Sequence, residues 1–304
     1  MSDPRIGDLL GRHAGTAGPA VVIAGFPTDE GVRRNGGRTG AAGGPAAIRH
    51  ALHRLTPDAE RPAEFTRVLG LTHDIGDAPV TGDLEADQAG LAALLAPHLA
   101  AGRFAIVLGG GHETTFGHFL GYAQAGLRPE ILNWDAHADV RELREGLGHS
   151  GSPFRQALEH ETPCRRYTVA GLQPHSVAAE HLAYVRTRGE ARFRHELTAA
   201  SVRETYAALA SPAIVSFDLD AVDASQAPGV SAPAVGGIGS RGWLALAWRA
   251  GRSPAVTSCD VVELNPMVDH DGVTARLAAA TVWQIFRGLA TRATFAGPAF
   301  GASS

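Results

Sequence analysis

Six side chains able to bind a hard cation stand in three short clusters. They are His112 in Gly109-Gly110-Gly111-His112-Glu113; Asp135, His137 and Asp139 in Asn133-Trp134-Asp135-Ala136-His137-Ala138-Asp139; and Asp218 and Asp220 in Ser216-Phe217-Asp218-Leu219-Asp220. Four carboxylates and two imidazoles are enough to hold two divalent cations with a hydroxide between them. That arrangement makes water nucleophilic at neutral pH and points to hydrolysis. A carboxylate-rich, thiolate-free donor set favours Mn2+ or another hard ion over a structural zinc. Taken singly, each cluster has an ordinary explanation: a His after glycines is commonly a loop residue, and Asp-x-Asp commonly caps a turn. Taken together, the six would crowd carboxylates into mutual repulsion, a conflict that a bound cation pair removes.

Each cluster follows a short apolar run. Strands are expected over residues 20–26, 67–71, 104–108, 130–134, 167–172, 213–219 and 256–264, and helices over 45–55, 84–100, 114–125, 176–186, 198–209, 241–250 and 274–287. Most of the strand runs are continuously apolar rather than alternating, which suits a parallel sheet covered on both faces. The alternation predicts a three-layer, doubly wound α/β fold with a mostly parallel sheet and helices on both faces. Ligands of such sheets bind at the carboxyl ends of the strands, where all three clusters fall. An extended chain at Asp135 would send Asp135, His137 and Asp139 to one side, with small alanines letting the backbone pass close. The glycine-rich stretch 36–44 reads as a functional loop. No linker or repeat is evident, so one domain over 1–304 is expected, with a core of about 20–290.

The bulk composition excludes other classes. Hydrophobic residues make up 44% of the chain and the net charge is only −4, with no basic block to meet a nucleic acid. The 27 cationic side chains are all Arg, so a lysine Schiff base has no residue to form it. Cys164 and Cys259 are far apart and have no CxxC spacing, which argues against a disulfide framework and for a reducing cytoplasm. No apolar run reaches membrane-spanning length, and no signal core follows Met1, so a soluble, cytoplasmic protein is expected.

At the ligand clusters the chain resembles the ureohydrolase superfamily of arginases, agmatinases and formimidoylglutamases, from about Gly25 to about Gly288. The resemblance implies an arginase-like α/β fold and two Mn2+ per subunit. His112, Asp135, Asp139 and Asp218 would surround one ion, and Asp135, His137, Asp218 and Asp220 the other, with Asp135 and Asp218 bridging. Within the superfamily the surrounding stretches are most similar to formimidoylglutamase: Asp29-Glu30-Gly31-Val32-Arg33-Arg34-Asn35-Gly36-Gly37-Arg38, Ser150-Gly151-Ser152-Pro153-Phe154-Arg155-Gln156, Val230-Ser231-Ala232-Pro233-Ala234 and the run from Asn265 to Ala278. Arginases and agmatinases usually carry Asp where Gly111 stands and His where Phe154 stands.

The implied reaction is hydrolysis of N-formimidoyl-L-glutamate to L-glutamate and formamide in histidine degradation, by attack of a metal-bridging hydroxide. Asp220 would carry the proton to the leaving amine. Glu263 aligns with the acid that meets the substrate's planar cationic group, for which a carboxylate offers two parallel hydrogen bonds. A glutamate-derived substrate brings two carboxylates, so arginines are expected at the mouth. Arg33, Arg34, Arg38, Arg155 and Arg276 are candidates, with Asn35 positioning its loop over the site. His149 is weighed as a proton shuttle against an ordinary loop histidine, and His118 as a support behind the ligands. The family also implies a homo-oligomer, a trimer or hexamer. The alternative with the same chemistry is a guanidino hydrolase releasing urea from agmatine or a guanidino acid. A metallophosphoesterase would use Asn and more His ligands than these clusters hold, and a non-catalytic relative would have lost ligands.

Overall fold

The computed structural model describes residues 3–12 and 20–295. Eight strands form one sheet: β1 (Val21–Phe26), β2 (Thr72–Asp77), β3 (Phe104–Gly109), β4 (Glu130–Trp134), β5 (Arg166–Leu172), β6 (Gly189–Phe193), β7 (Ala213–Asp218) and β8 (Val256–Val262). Their order across the sheet is β2-β1-β3-β8-β7-β4-β5-β6, and every neighbouring pair is parallel.

Side chains alternate between two cores because successive residues of a strand face opposite sides. Val21, Ile23, Ile106, Leu108, Leu132 and Trp134 join one core; Val22, Ala24, Ala105, Val107 and Ile131 join the other. The first face is covered by helices Gly44–His53, Pro62–Gly70, Ser240–Arg252 and Val273–Leu289, through residues such as Ile48, Phe65, Trp243 and Phe286. The second is covered by Leu84–Ala100, Thr114–Gln124, Pro153–Glu159 and Ala179–Arg188, through Leu91, Phe119, Phe154 and Val185. This is the expected three-layer α/β architecture. Burial on both faces explains the unbroken apolar runs of β1 and β3, each full Val, Leu or Ile being worth roughly 1.5–3 kcal/mol.

The second strand lies one element later than expected. Residues 67–70 end the helix Pro62–Gly70, whose buried Phe65, Val68 and Leu69 have helical spacing and whose Pro stands in the first turn. A short apolar run such as Val68-Leu69-Gly70-Leu71 does not by itself separate helix from strand. The true strand, Thr72–Asp77, is a partly exposed edge, as is β6, which its sequence does not announce. Three short helices also go beyond the expected set, Ile6–Leu9, Glu30–Asn35 and Pro153–Glu159, and the last two border the ligand clusters. Among the described residues, no helix is long and apolar enough to cross a membrane.

Candidate metal centre

The ligand clusters come from four strands that lie side by side. His112 follows β3, Glu263 follows β8, Asp218 ends β7 and Asp135 follows β4. Glycines let the first loop pass tightly: a Cβ on Gly110 would lie 1.7 Å from the Thr28 carbonyl oxygen, and one on Gly111 would lie 2.2 Å from Glu113 Oε2. The Glu263 N–H donates to the Gly110 carbonyl (2.8 Å), which ties the ends of β3 and β8 together.

Two imidazoles anchor two groups. His112 Nδ1 faces Asp218 Oδ2 at 2.8 Å, Asp139 Oδ2 at 3.0 Å and Asp135 Oδ2 at 3.4 Å. His137 Nδ1 faces Asp220 Oδ2 at 3.2 Å and Asp135 Oδ1 at 3.3 Å. The donor atoms of His112, Asp135, Asp139 and Asp218, and of Asp135, His137 and Asp220, converge tightly enough to share an ion within each set. Asp135 thus turns one oxygen to each group, as a bridging ligand must. Asp218 converges with the first set, and its Oδ1 accepts the Asp220 N–H (2.8 Å), beside the second set, and caps the short turn Leu219–Ala221.

The chain past Asp135 is not extended, contrary to the simple alternating picture. β4 ends at Trp134, the Asp135 carboxylate accepts the His137 N–H (2.6 Å), and Asp139 adopts a left-handed φ of 45°. The turn sends Asp139 back to His112 while His137 faces Asp220. Glu263 likewise has φ 68°, and its Oε1 accepts the His112 N–H at 2.7 Å. Strained non-glycine backbone of this kind persists where neighbouring contacts hold it, and it clusters at functional sites.

The donor set fits a pair of cations. His112 Nδ1 is buried with three carboxylate oxygens around it, yet it makes no directed hydrogen bond with any of them, and Asp220 Oδ1 has no partner among the described residues. Their lone pairs converge on the space between the side chains rather than on each other. The electrostatics agree. Burial pushes Asp218 well above the ordinary carboxylate range, with Asp220 and Asp135 adding to it, and burial raises Asp220 to about 7. For Asp135 burial acts the same way, but the His137 hydrogen bond and the charges of His112 and His137 outweigh it and hold the carboxyl low. Burial opposes charge on His112, while Asp218 and Asp139 more than reverse it; His137 is raised mainly by Asp220. Divalent cations would neutralise these carboxylates without protons.

A cavity of about 190 Å³ opens onto the cluster. His137, Asp139, Asp218, Asp220 and Glu263 form its floor, and Asn35, Arg141, Ser150 and Ser231 stand at its rim. Burial, then the charges of Asp218 and Glu113, hold Glu263 well above its ordinary value. Asn35 is joined to this rim, donating to Ser150 Oγ (3.1 Å) and accepting from Arg141 (3.2 Å).

The proposed arginines are elsewhere. Arg38 is exposed and donates to the carbonyls of Ser231 and Val230, which places it just behind the rim. Arg155 donates to the Val140 carbonyl, stacks over Tyr184 and faces Glu142 and Glu159, outside the cavity. Arg276 is exposed on the helix Val273–Leu289 and is not among the cavity-lining residues. Arg33 and Arg34 pair with Glu30, and Arg34 also with Glu85. Arg141 is the arginine at the mouth, and the sequence reading passed over it; its place two residues beyond Asp139 was the available signal.

Both rings of interest beside the ligands have fixed partners. His149 Nδ1 accepts the Gly151 N–H and its Nε2 faces the Glu142 carbonyl, so the loop reading holds over the shuttle. Phe154 is fully buried, stacked on Tyr167 with centroids 4.5 Å apart and edge-on to His112 at 5.1 Å, an apolar wall against the ligand ring. The sequence reading also missed Ser216 and Asp260, polar residues inside apolar strands and both fully buried.

An eight-stranded parallel sheet with a two-imidazole, four-carboxylate cluster at its centre places the chain in a definite class. It belongs to the arginase family, whose model matches residues 19–287. Within that family it is similar to the formimidoylglutamase of Nocardia farcinica, 39% identical over 88% of this chain and 86% of that one. It is equally similar to the formimidoylglutamase of Rhodococcus jostii, 39% identical over 90% and 87%. Among solved structures, Trypanosoma cruzi formiminoglutamase with Mn2+ superposes with a TM-score of 0.87 at 32% identity, covering 96% of this chain and all (100%) of that one.

Proposed function

We propose that the protein hydrolyses N-formimidoyl-L-glutamate to L-glutamate and formamide, a step of histidine degradation, with two Mn2+ per subunit. It is a hydrolase of C–N bonds in linear amidines, of formimidoylglutamase type. The observation that carries the substrate is likeness to formimidoylglutamases along nearly the whole chain, combined with a carboxylate at the floor of a small polar cavity.

His112, Asp135, Asp139 and Asp218 would hold one ion and Asp135, His137, Asp218 and Asp220 the other. Bound there, the pair supplies a water acidic enough to attack an amidine at neutral pH. The chain does the rest. Glu263 meets the planar amidinium from the floor of the cavity, where two parallel charge-assisted hydrogen bonds fix the carbon to be attacked. Asp220, with one oxygen on His137 and the other free of partners among the described residues, carries a proton to the departing amine. Arg141 and Asn35 receive substrate carboxylate from the rim, Arg141 as a bidentate partner. Arg38, through Ser231 and Val230, braces that rim. Arg155 and Arg276 have no part in this binding mode.

The chain is proposed to act as one domain in the cytoplasm, as a trimer or hexamer, which light scattering on the purified protein measures. The decisive experiment is product analysis with Mn2+-loaded protein. Formamide and glutamate from formimidoylglutamate are expected. Urea from agmatine or arginine, with formimidoylglutamate left intact, would overturn the proposal in favour of a guanidino hydrolase.

A further inference from the structure

Behind His112 runs a buried polar chain that touches neither the cavity nor the other ligands. His112 Nε2 lies 3.0 Å from Ser216 Oγ, Ser216 Oγ donates to Asp260 Oδ1, and Asp260 Oδ2 lies 2.9 Å from His118 Nδ1. Thr115 Oγ1 is 3.2 Å from the same serine oxygen. Ser216 and Asp260 are directly paired across β7 and β8, while Thr115 and His118 lie one turn apart on the helix Thr114–Gln124. All five residues are at most 1% exposed.

An aspartate buried in the helix–sheet interface is costly unless it is fully partnered, and a hydrophobic pair of similar size would serve packing as well or better. Proton accounting gives this one a purpose. The single Ser216 proton is donated to Asp260 Oδ1. Ser216 can then only accept from His112, which must carry its proton on Nε2. The Nδ1 lone pair is left facing Asp135, Asp139 and Asp218. Ring nitrogens behind a metal ligand set its tautomer and basicity in this way.

We propose that Ser216 and Asp260, braced by His118, are positioning residues that hold His112 in its Nδ1-coordinating tautomer and so set the affinity of the inner ion. The inference rests on the binuclear reading of the site, and one titration separates the two. The full-length wild type and S216A are stripped of metal and equilibrated with graded free Mn2+, and bound metal and its electron paramagnetic resonance spectrum are recorded. The binuclear reading requires two ions per wild-type chain. For S216A the Mn2+ needed to fill the His112 site should rise about 10–100-fold, leaving a mononuclear six-line spectrum at concentrations where the wild type is coupled. Losing the serine also leaves buried Asp260 one donor short, so the metal-free melting temperature should fall modestly; the diagnostic is that binding of the ion at His112 weakens and that of the other does not. Wild-type affinity for both ions, or equal weakening of both, overturns the proposal. If S216A does not fold, D260N keeps the volume of the side chain and removes its charge. Selective weakening of the same ion is again expected, and unchanged affinity for both ions overturns the proposal.

Discussion

The two halves of the metal cluster are built from the same residue types but are held differently. The His112 half is closed behind its ring, which is 1% exposed with Phe154 packed against it and Ser216 at its far nitrogen, while Asp139 and Asp218 of that half reach the cavity floor. The His137 half faces the cavity, with its side chain 24% exposed and fewer carboxylates around it. Ligand chemistry alone therefore does not set the properties of a metal site. The inner half is preorganised by buried neighbours, and the outer half remains accessible to water and substrate.

The strongest way to break this contrast is to remove what the halves share. Asp135→Ala takes one oxygen from each group, so both ions should be lost and turnover should fall by at least about 10³-fold. Metal analysis and initial rates check it, and persisting activity would end the bridging model. The halves separate with His112→Ala and His137→Ala. His137→Ala should retain about one Mn2+ per chain, whereas His112→Ala should lose the inner ion and leave buried carboxylates uncompensated, lowering stability by about 3–5 kcal/mol. Metal content and denaturant unfolding of the two variants distinguish them; identical behaviour would erase the distinction between inner and outer.

A smaller effect is expected at the rim. Arg141→Ala should raise KM by about 10-fold, more than it lowers kcat, because in the proposed binding mode its guanidinium meets the substrate at the mouth rather than at the reacting carbon. Steady-state kinetics on formimidoylglutamate measure that split, and an unchanged KM would remove Arg141 from the binding mode. Smallest of all is a pH effect in the rim loop. Burial, despite the Glu142 hydrogen bond, holds the His149 ring below its ordinary value. A base depressed in the folded state contributes its full stability above its unfolded value near 6.5, and loses it as the pH falls and the unfolded chain takes up the proton first. Between pH 7 and 5.5 the wild type should therefore lose slightly more melting temperature than His149→Gln, by no more than about 2 °C. Parallel melting curves would refute it.

Central and edge strands differ in how well the sequence announces them, for a physical reason. β1, β3 and β7 are buried on both faces, so nearly every position selects an apolar side chain, with Ser216 and Asp218 of β7 the functional exceptions, and the runs stand out. β2 and β6 are edge strands and partly exposed; Thr-His-Asp-Ile-Gly-Asp carries too little apolar signal to compete with the preceding helix Pro62–Gly70, and Gly-Glu-Ala-Arg-Phe too little to stand out after the helix Ala179–Arg188. The ligands were legible because hard-cation chemistry demands particular side chains at strand ends. The arginine at the mouth was not, because Arg141, Arg155 and Arg276 are chemically alike and only the path of the loops distinguishes them.

The sequence by itself determined the donor types and their position after apolar strands, a set able to hold hard cations for hydrolysis. Tertiary structure decided which donors meet. The sites after β3, β4, β7 and β8 are interleaved in sequence, but the sheet order β3-β8-β7-β4 makes them neighbours. Crossover connections in a parallel sheet, not sequence distance, choose strand neighbours. The same pairing of β7 with β8 sets Ser216 beside Asp260 and behind His112, a support that neither strand reveals alone.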